Sequence, residues 1–214
     1  MADVKNLLIV GAGGHGKVVL DCALAMGDYA GVSFLTNDLA AKQIAGFPVF
    51  YEQETILSSS FYENYDEIII AIGNNNVRLA KSLQILDNGL KLATLIHPTA
   101  VVSRFSEVLE GTVVFANAVV NPFSSVGTAC IINTGAIIEH DCILGNGVHV
   151  SPGATLAGSV RVGEKSWICA GSSLSNHIKI GTNSIVGAGA TVLEDVPDNV
   201  LMAGVPAKIK KNYD

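Results

Sequence analysis

The 214-residue chain is 49% hydrophobic and 15% charged, which is enough apolar material for a substantial core in one large or two small domains. A net charge of −6 with no lysine- or arginine-rich run argues against a nucleic-acid surface, and no stretch supplies the ~18–20 apolar residues of a membrane helix. With 6% aromatic residues and 22 glycines, the composition favours tight turns around small and branched side chains over a bulky aromatic core.

In chain order, NLLIV (6–10) reads as a buried strand. The run LLIVGAGG is too short, and lacks the cleavage pattern, to be a signal peptide. GKVVLDCALAMG (16–27) has helical spacing, AGVSFL (30–35) and DEIIIAIG (66–73) are strands, and NNVRLAKSLQILDNG (75–89) is a helix ending at Gly89. KLATLI (91–96) reads as a last strand. Strand and helix taking turns predicts a small Rossmann-like parallel sheet over residues 1–95. The four cysteines form no C-x-x-C pair and read as reduced, mostly buried thiols of a cytoplasmic protein.

From Ile96 the period changes to six. Ile96, Val102, Val108 and every sixth residue onward to Val192 are Val, Ile or Leu without exception, an agreement whose chance probability is on the order of 10⁻⁸. Four places after most of them stands a small residue, such as Ala118, Cys130, Ala136 or Cys142. One large and one small inward residue per hexapeptide predicts a prism of short parallel strands over residues 96–214, three hexapeptides to a coil. At ~4.8 Å per coil it would stand roughly 27 Å tall. Gly145, Asn146, Gly147, Gly163, Gly181 and Asn183 are assigned to corners that need unusual φ/ψ. Val113, Val119, Ile131, Ile137 and Ile143 fall outside the inward register and predict apolar faces that a partner subunit would cover.

Two stretches carry chemistry. GAGGHG (11–16) follows a strand and opens a helix, the setting in which glycines allow a tight turn and helix-end amides face a phosphate. An NAD site would want an acid ending the second strand, and SFLTND offers only Asp38 behind Thr36 and Asn37, so the loop is read as holding another phosphate ligand in place of NAD. In IIEHDC (137–142), His140 lies two places past inward Ile138 and so reaches the outer surface, with Gly158 one coil away leaving a slot beside the ring. Histidine suits a general base at neutral pH, and a carboxylate, Asp141 or Glu139, would fix its tautomer. Ligands on one prism edge should recur near multiples of eighteen, and His97, His140, His149 and His177 do not, so no metal site is expected.

The period itself marks a hexapeptide β-helix. GAGGHG, AIGNN followed by Arg78, IEHD and GVPAK, in this order, resemble the NeuD/PglD-type bacterial sugar acetyltransferases along essentially the whole chain. The resemblance implies a left-handed prism, an acetyl-CoA donor and a homotrimer with active sites between subunits; charge, apolar length and the cysteines add the expectation of a cytoplasmic protein without nucleic acid or membrane insertion. It implies a UDP-linked amino sugar over Gly11, Gly13, Gly14 and His15, with Asn37 or Asp38 near the base and Asn74, Asn75 and Arg78 further along the cleft. Asn133 would lie on the acceptor side. It favours Asp141 as partner of the base His140, His149 as an acetyl-group contact, and Gly158, Ala170 and Ala188 along the cofactor. The implied reaction is N-acetylation of a UDP-4-amino-4,6-dideoxy-hexose of the UDP-N-acetylbacillosamine type. Sialic acid O-acetylation, a GDP- or TDP-linked amino sugar, and a non-catalytic nucleotide-sugar-binding trimer are the alternatives.

Overall fold

The computed structural model describes residues 5–38, 43–51 and 59–213. Strands β1 (Lys5–Val10), β2 (Tyr29–Thr36), β3 (Gln43–Ile44), β4 (Phe47–Tyr51) and β5 (Glu67–Ile70) form one sheet in the order β3-β4-β2-β1-β5. All its pairings are parallel except the β3–β4 hairpin. Helix α1 (Gly14–Met26) stops at Gly27, whose φ of 76° closes it in the left-handed region. A short α2 (Ser59–Tyr62) precedes β5, and α3 (Asn75–Asp87) starts where the Asn74 side chain accepts from the Val77 amide. No helix among the described residues is long and apolar enough to cross a membrane.

β3, β4 and α2 were not expected from the sequence, and KLATLI differs from its reading. FPVFY forms β4, a strand hidden by its proline, which sits next to the sheet's outermost strand. KLATLI is split between two structures: Leu92 only bridges to Ile68 in β5, whereas Leu95–Ile96 is the first rung of the prism.

Seventeen two-residue strands, β6 to β22, run from Leu95–Ile96 to Thr191–Val192, so that three per coil make between five and six coils. Each of them up to β19 pairs in parallel with the strand eighteen residues on, as in Val119↔Ile137 and Ile137↔Thr155. The second residue of every rung is the six-residue series, and from Val114 to Val192 all of these are buried. The small inward partners complete the core, and the polar ones are satisfied within it. Thr112, Ser124 and Ser166 donate to the carbonyls of Gly127, Glu139 and Gly181 at 2.6–2.8 Å and accept from the amides of Cys130, Cys142 and Ser184. β23 (Val200–Gly204) and β24 (Ala207–Asn212) close the far end as an antiparallel pair, placing Met202 and Ala207 on the core. Ile132→Ala, in the middle of this column, should lower stability by about 2–5 kcal/mol, read as a lower midpoint in chemical denaturation.

The prism has three faces. The first carries Ile131–Ile132 and His149–Val150, the second Ile137–Ile138, the third Ile143–Leu144. From Gly111 to Gly189 every sixth residue has a positive φ, and non-glycines such as Asp141 (60°) and Lys165 (60°) accept it. Gly147 and Asn183 are among these corners, but Gly145, Asn146, Gly163 and Gly181 are not. The glycines there serve close stacking: a Cβ on Gly145 would lie 2.8 Å from the Glu164 amide nitrogen, and one on Gly163 2.6 Å from that of Thr182.

The sheet and α1 pack on the first face. Val113 and Ile131 are therefore buried in one cluster with Leu7, Val19 and Phe115, covered within the chain and not by a partner subunit. Val119 and Ile137 on the second face remain half-buried, and Ile143 on the third is exposed.

Candidate functional site

On the edge between the second and third faces, Asp141 occupies a corner and its carboxylate Oδ2 lies 2.7 Å from His140 Nδ1. The positive φ turns its side chain back towards the preceding residue, so that neighbours in sequence converge. Both side chains are more than half exposed. A carboxylate accepting from Nδ1–H leaves Nε2 with its lone pair, the tautomer a base requires. The ring lies on Gly158, where a Cβ would be 2.6 Å from Cε1 and 2.7 Å from Nε2. The space over Gly158 is thus filled by the imidazole and is not left as a slot for a ligand. Asp141, not Glu139, is the carboxylate on the ring; the Glu139 backbone carbonyl accepts from Ser124.

The first face carries a second group. The Asn133 amide Nδ2 lies 3.2 Å from His149 Nε2, and Asn133 Oδ1 accepts from the Thr134 amide, which orients the carboxamide as a donor to the ring. Trp167, one coil on, stacks parallel to His149 with centroids 5.7 Å apart and donates to Ser151 Oγ at 2.7 Å. His15, at the start of α1, sets its ring edge against Phe115 at 5.7 Å. Burial lowers the pKa of His149 to about 3, with Arg78 and His15 adding to it; burial and then Arg78 lower His15 to about 4. Both rings are neutral near pH 7. Trp167 was not anticipated, although it stands eighteen residues after His149.

Gly11, Gly13, Gly14, His15, Asn37 and Asp38 line one cleft of about 460 Å³, within the range of small-molecule sites. Gly11 is required there, because a Cβ would sit 2.5 Å from the Ala71 carbonyl oxygen. Ile72, Gly73, Val77 and Lys81 complete the wall. Lys81, one helical turn after Val77 on α3, is the lysine that the sequence reading did not single out.

The three residues assigned to the far end of this cleft act otherwise. Arg78 is only 1% exposed. Its Nε donates to Ala129 O, Nη1 to Ile72 O and Gly73 O, and Nη2 to Asn75 Oδ1 and Gly147 O, at 2.8–3.3 Å. All five N–H groups are spent, so none is left for a sugar nucleotide. Asn75 donates to Lys165 O and Ser166 O on the prism, and Asn74 caps α3.

Within one chain, the candidate residues fall into separate places. His140, Asp141 and Gly158 share the second–third edge, while Asn133 and His149 pair on the first face and His15 rests on Phe115, one coil before Asn133. Ala170 and Ala188 are exposed on the first–second edge, one coil apart, with the Gly189 amide donating to Ala170 O.

A family model described as the PglD N-terminal domain matches residues 6–84, and the bacterial transferase hexapeptide model (six repeats) matches residues 159–194. UDP-N-acetylbacillosamine N-acetyltransferase of Bacillus subtilis (strain 168) is 40% identical over 115 residues, which are 52% of this chain and 51% of that enzyme, so the chain spans about half the length of this curated relative. A histidine-to-asparagine mutant of perosamine N-acetyltransferase from Caulobacter crescentus, solved with CoA and GDP-perosamine, superposes with a TM-score of 0.91 at 37% identity over 98% of both chains. The acetyltransferase domain of PglB from Neisseria gonorrhoeae FA1090, solved with acetyl coenzyme A, has a TM-score of 0.91 and 40% identity over 96% of this chain and 98% of that one.

Proposed function

This chain belongs to the PglD-type hexapeptide-repeat sugar acetyltransferases, and from that premise we propose that it acetylates the 4-amino group of a nucleotide-linked 4-amino-4,6-dideoxy-hexose, with acetyl-CoA as donor. The observation that carries the reading is the His140–Asp141 pair, an exposed imidazole with its outer nitrogen free. In the proposed reaction Nε2 accepts a proton from the acceptor amine as its nitrogen attacks the thioester carbonyl carbon. The tetrahedral intermediate collapses to the amide, and the CoA sulfur leaves and takes a proton to become the thiol. Asp141 stabilises the imidazolium that exists between the two transfers.

The glycine loop and the amino end of α1 would hold the diphosphate, with Lys81 as the lysine in the cleft wall and Asn37 and Asp38 towards the base. His149 would contact the acetyl group through Nδ1–H, since its Nε2 is engaged by Asn133. UDP is the proposed nucleotide, from the bacillosamine-enzyme relative. GDP is the second reading, favoured by the GDP-perosamine complex, whose protein matches over nearly its whole length.

The separation of these groups within one chain supports a homotrimer in which the His140 edge of one subunit faces the cleft of the next. On that same edge Phe105 and Phe123, stacked at 5.8 Å, are 61% and 68% exposed, a surface that a neighbouring copy would cover. The test is CoA thiol release from acetyl-CoA with UDP-, GDP- and TDP-linked 4-amino sugars and with sialic acid. Turnover of one amino-sugar nucleotide well above the others is expected. Release with sialic acid alone would move the assignment to O-acetylation, and no release with any acceptor would leave a nucleotide-sugar-binding protein.

A further inference from the structure

Arg78 is the largest fully buried side chain among the described residues and the only charged one of that group. Its five hydrogen bonds all end on neutral oxygens, so the charge is held by carbonyl dipoles. Burial lowers its pKa to about 10, which leaves it a cation at neutral pH.

The destinations of those bonds follow a pattern. Ala129 and Gly147 are successive corners on the third–first edge of the prism, eighteen residues apart, and Lys165 is the next corner of the same column. Asn75, itself bonded to Arg78, donates to the Lys165 and Ser166 carbonyls. Arg78 and Asn75 together therefore grip three consecutive coils. On the other side Arg78 holds the carbonyls of Ile72 and Gly73, which line the glycine-loop cleft. Directly before them Ala71 presses on Gly11 so closely that no Cβ fits. The connection thus runs without a gap from the prism corners through the guanidinium to the Gly11 turn and on to His15, which rests on Phe115.

We infer that Arg78 is a positioning residue: it sets the glycine-loop cleft, and His15 with it, at a fixed place against the prism face that carries Asn133 and His149. A lysine could not take this role, because one ammonium has three donors at one point while the carbonyls of Ala129, Gly147, Ile72 and Gly73 surround a planar fork. The ionisable groups that share the junction are His15 on α1, Arg78 on α3, and Cys130 and His149 on the prism. The charge of Arg78 acts on both imidazoles in the same sense as their burial.

The inference rests on the proposed acetyl transfer for its kinetic arm only. Arg78→Lys should raise KM for the nucleotide sugar about tenfold, the scale of a small misplacement of a binding group, and leave KM for acetyl-CoA unchanged. Loss of kcat in step with lost thermal stability, with both KM values unmoved, would overturn the positioning role. Arg78→Met, if it folds, removes the charge, and the NMR titration midpoints of His15 and His149 should both rise; midpoints unmoved in a folded variant would overturn it too. Should that variant not fold, the lysine variant decides. The titration needs no turnover, so a wild-type protein inactive on every acceptor would sink the acetyltransferase reading without touching this one.

Discussion

His140→Ala is expected to leave the fold and CoA affinity intact and to lower kcat by about 10²–10⁴-fold, the usual contribution of a positioned general base. The imidazole is more than half exposed, and its only hydrogen bond among those of the described residues is to Asp141, so little packing is lost with it. Calorimetric titration with CoA and steady-state kinetics on the preferred amino-sugar nucleotide separate the two effects. Near-normal turnover would remove His140 from the mechanism. Asp141→Asn should fall between wild type and the alanine variant, because the amide still reaches Nδ1 without stabilising the imidazolium.

The second large effect is expected at a residue that offers no functional group. In Gly158→Ala the new methyl would occupy the place of the imidazole, 2.6–2.7 Å from two of its ring atoms. Gly158 is a non-corner residue whose φ lies outside the left-handed region, so its backbone accommodates alanine. The ring is the part free to move, and it would swing off the face of the prism. kcat should fall on the order of 10²-fold, as for a misplacement of about 1 Å, while the melting temperature changes little. An unfolded Gly158→Ala variant would show that the coil contact matters more than the ring, and full activity would show that the ring position on Gly158 is not the working one.

The prism was legible in the sequence because its rule is local and repeated. A six-residue spacing of Val, Ile and Leu admits one inward register, and the second residue of each of the seventeen rungs obeys it. The His140–Asp141 pair was legible for the same reason: Ile138 and Cys142 fix the frame, and what lies between them faces outward. Trp167 could have been found by adding one coil to His149. The corner glycines were misread because two different needs, positive φ and close approach of the next coil, select the same residue.

Arg78 was misread for a deeper reason. The resemblance carried by AIGNN and the arginine after it put Arg78 along the sugar-nucleotide cleft, and nothing in the spacing along the chain tells where its donors end. Two of its five partners are carbonyls 51 and 69 residues away on another layer of the molecule. Val113 and Ile131 went the same way: the pattern showed that they face outward from the prism, and only the packing of β1 and α1 decided that they are covered within the chain.

The sequence by itself determined the coil, its register, and which residues stand outside the core, since these depend on a periodic alternation of large and small side chains. The tertiary structure alone decided what those outward residues meet. It filled the space over Gly158 with the His140 ring, and it set His15 on Phe115 and turned Arg78 from the cleft into the seam, because these last contacts join segments whose separation carries no period.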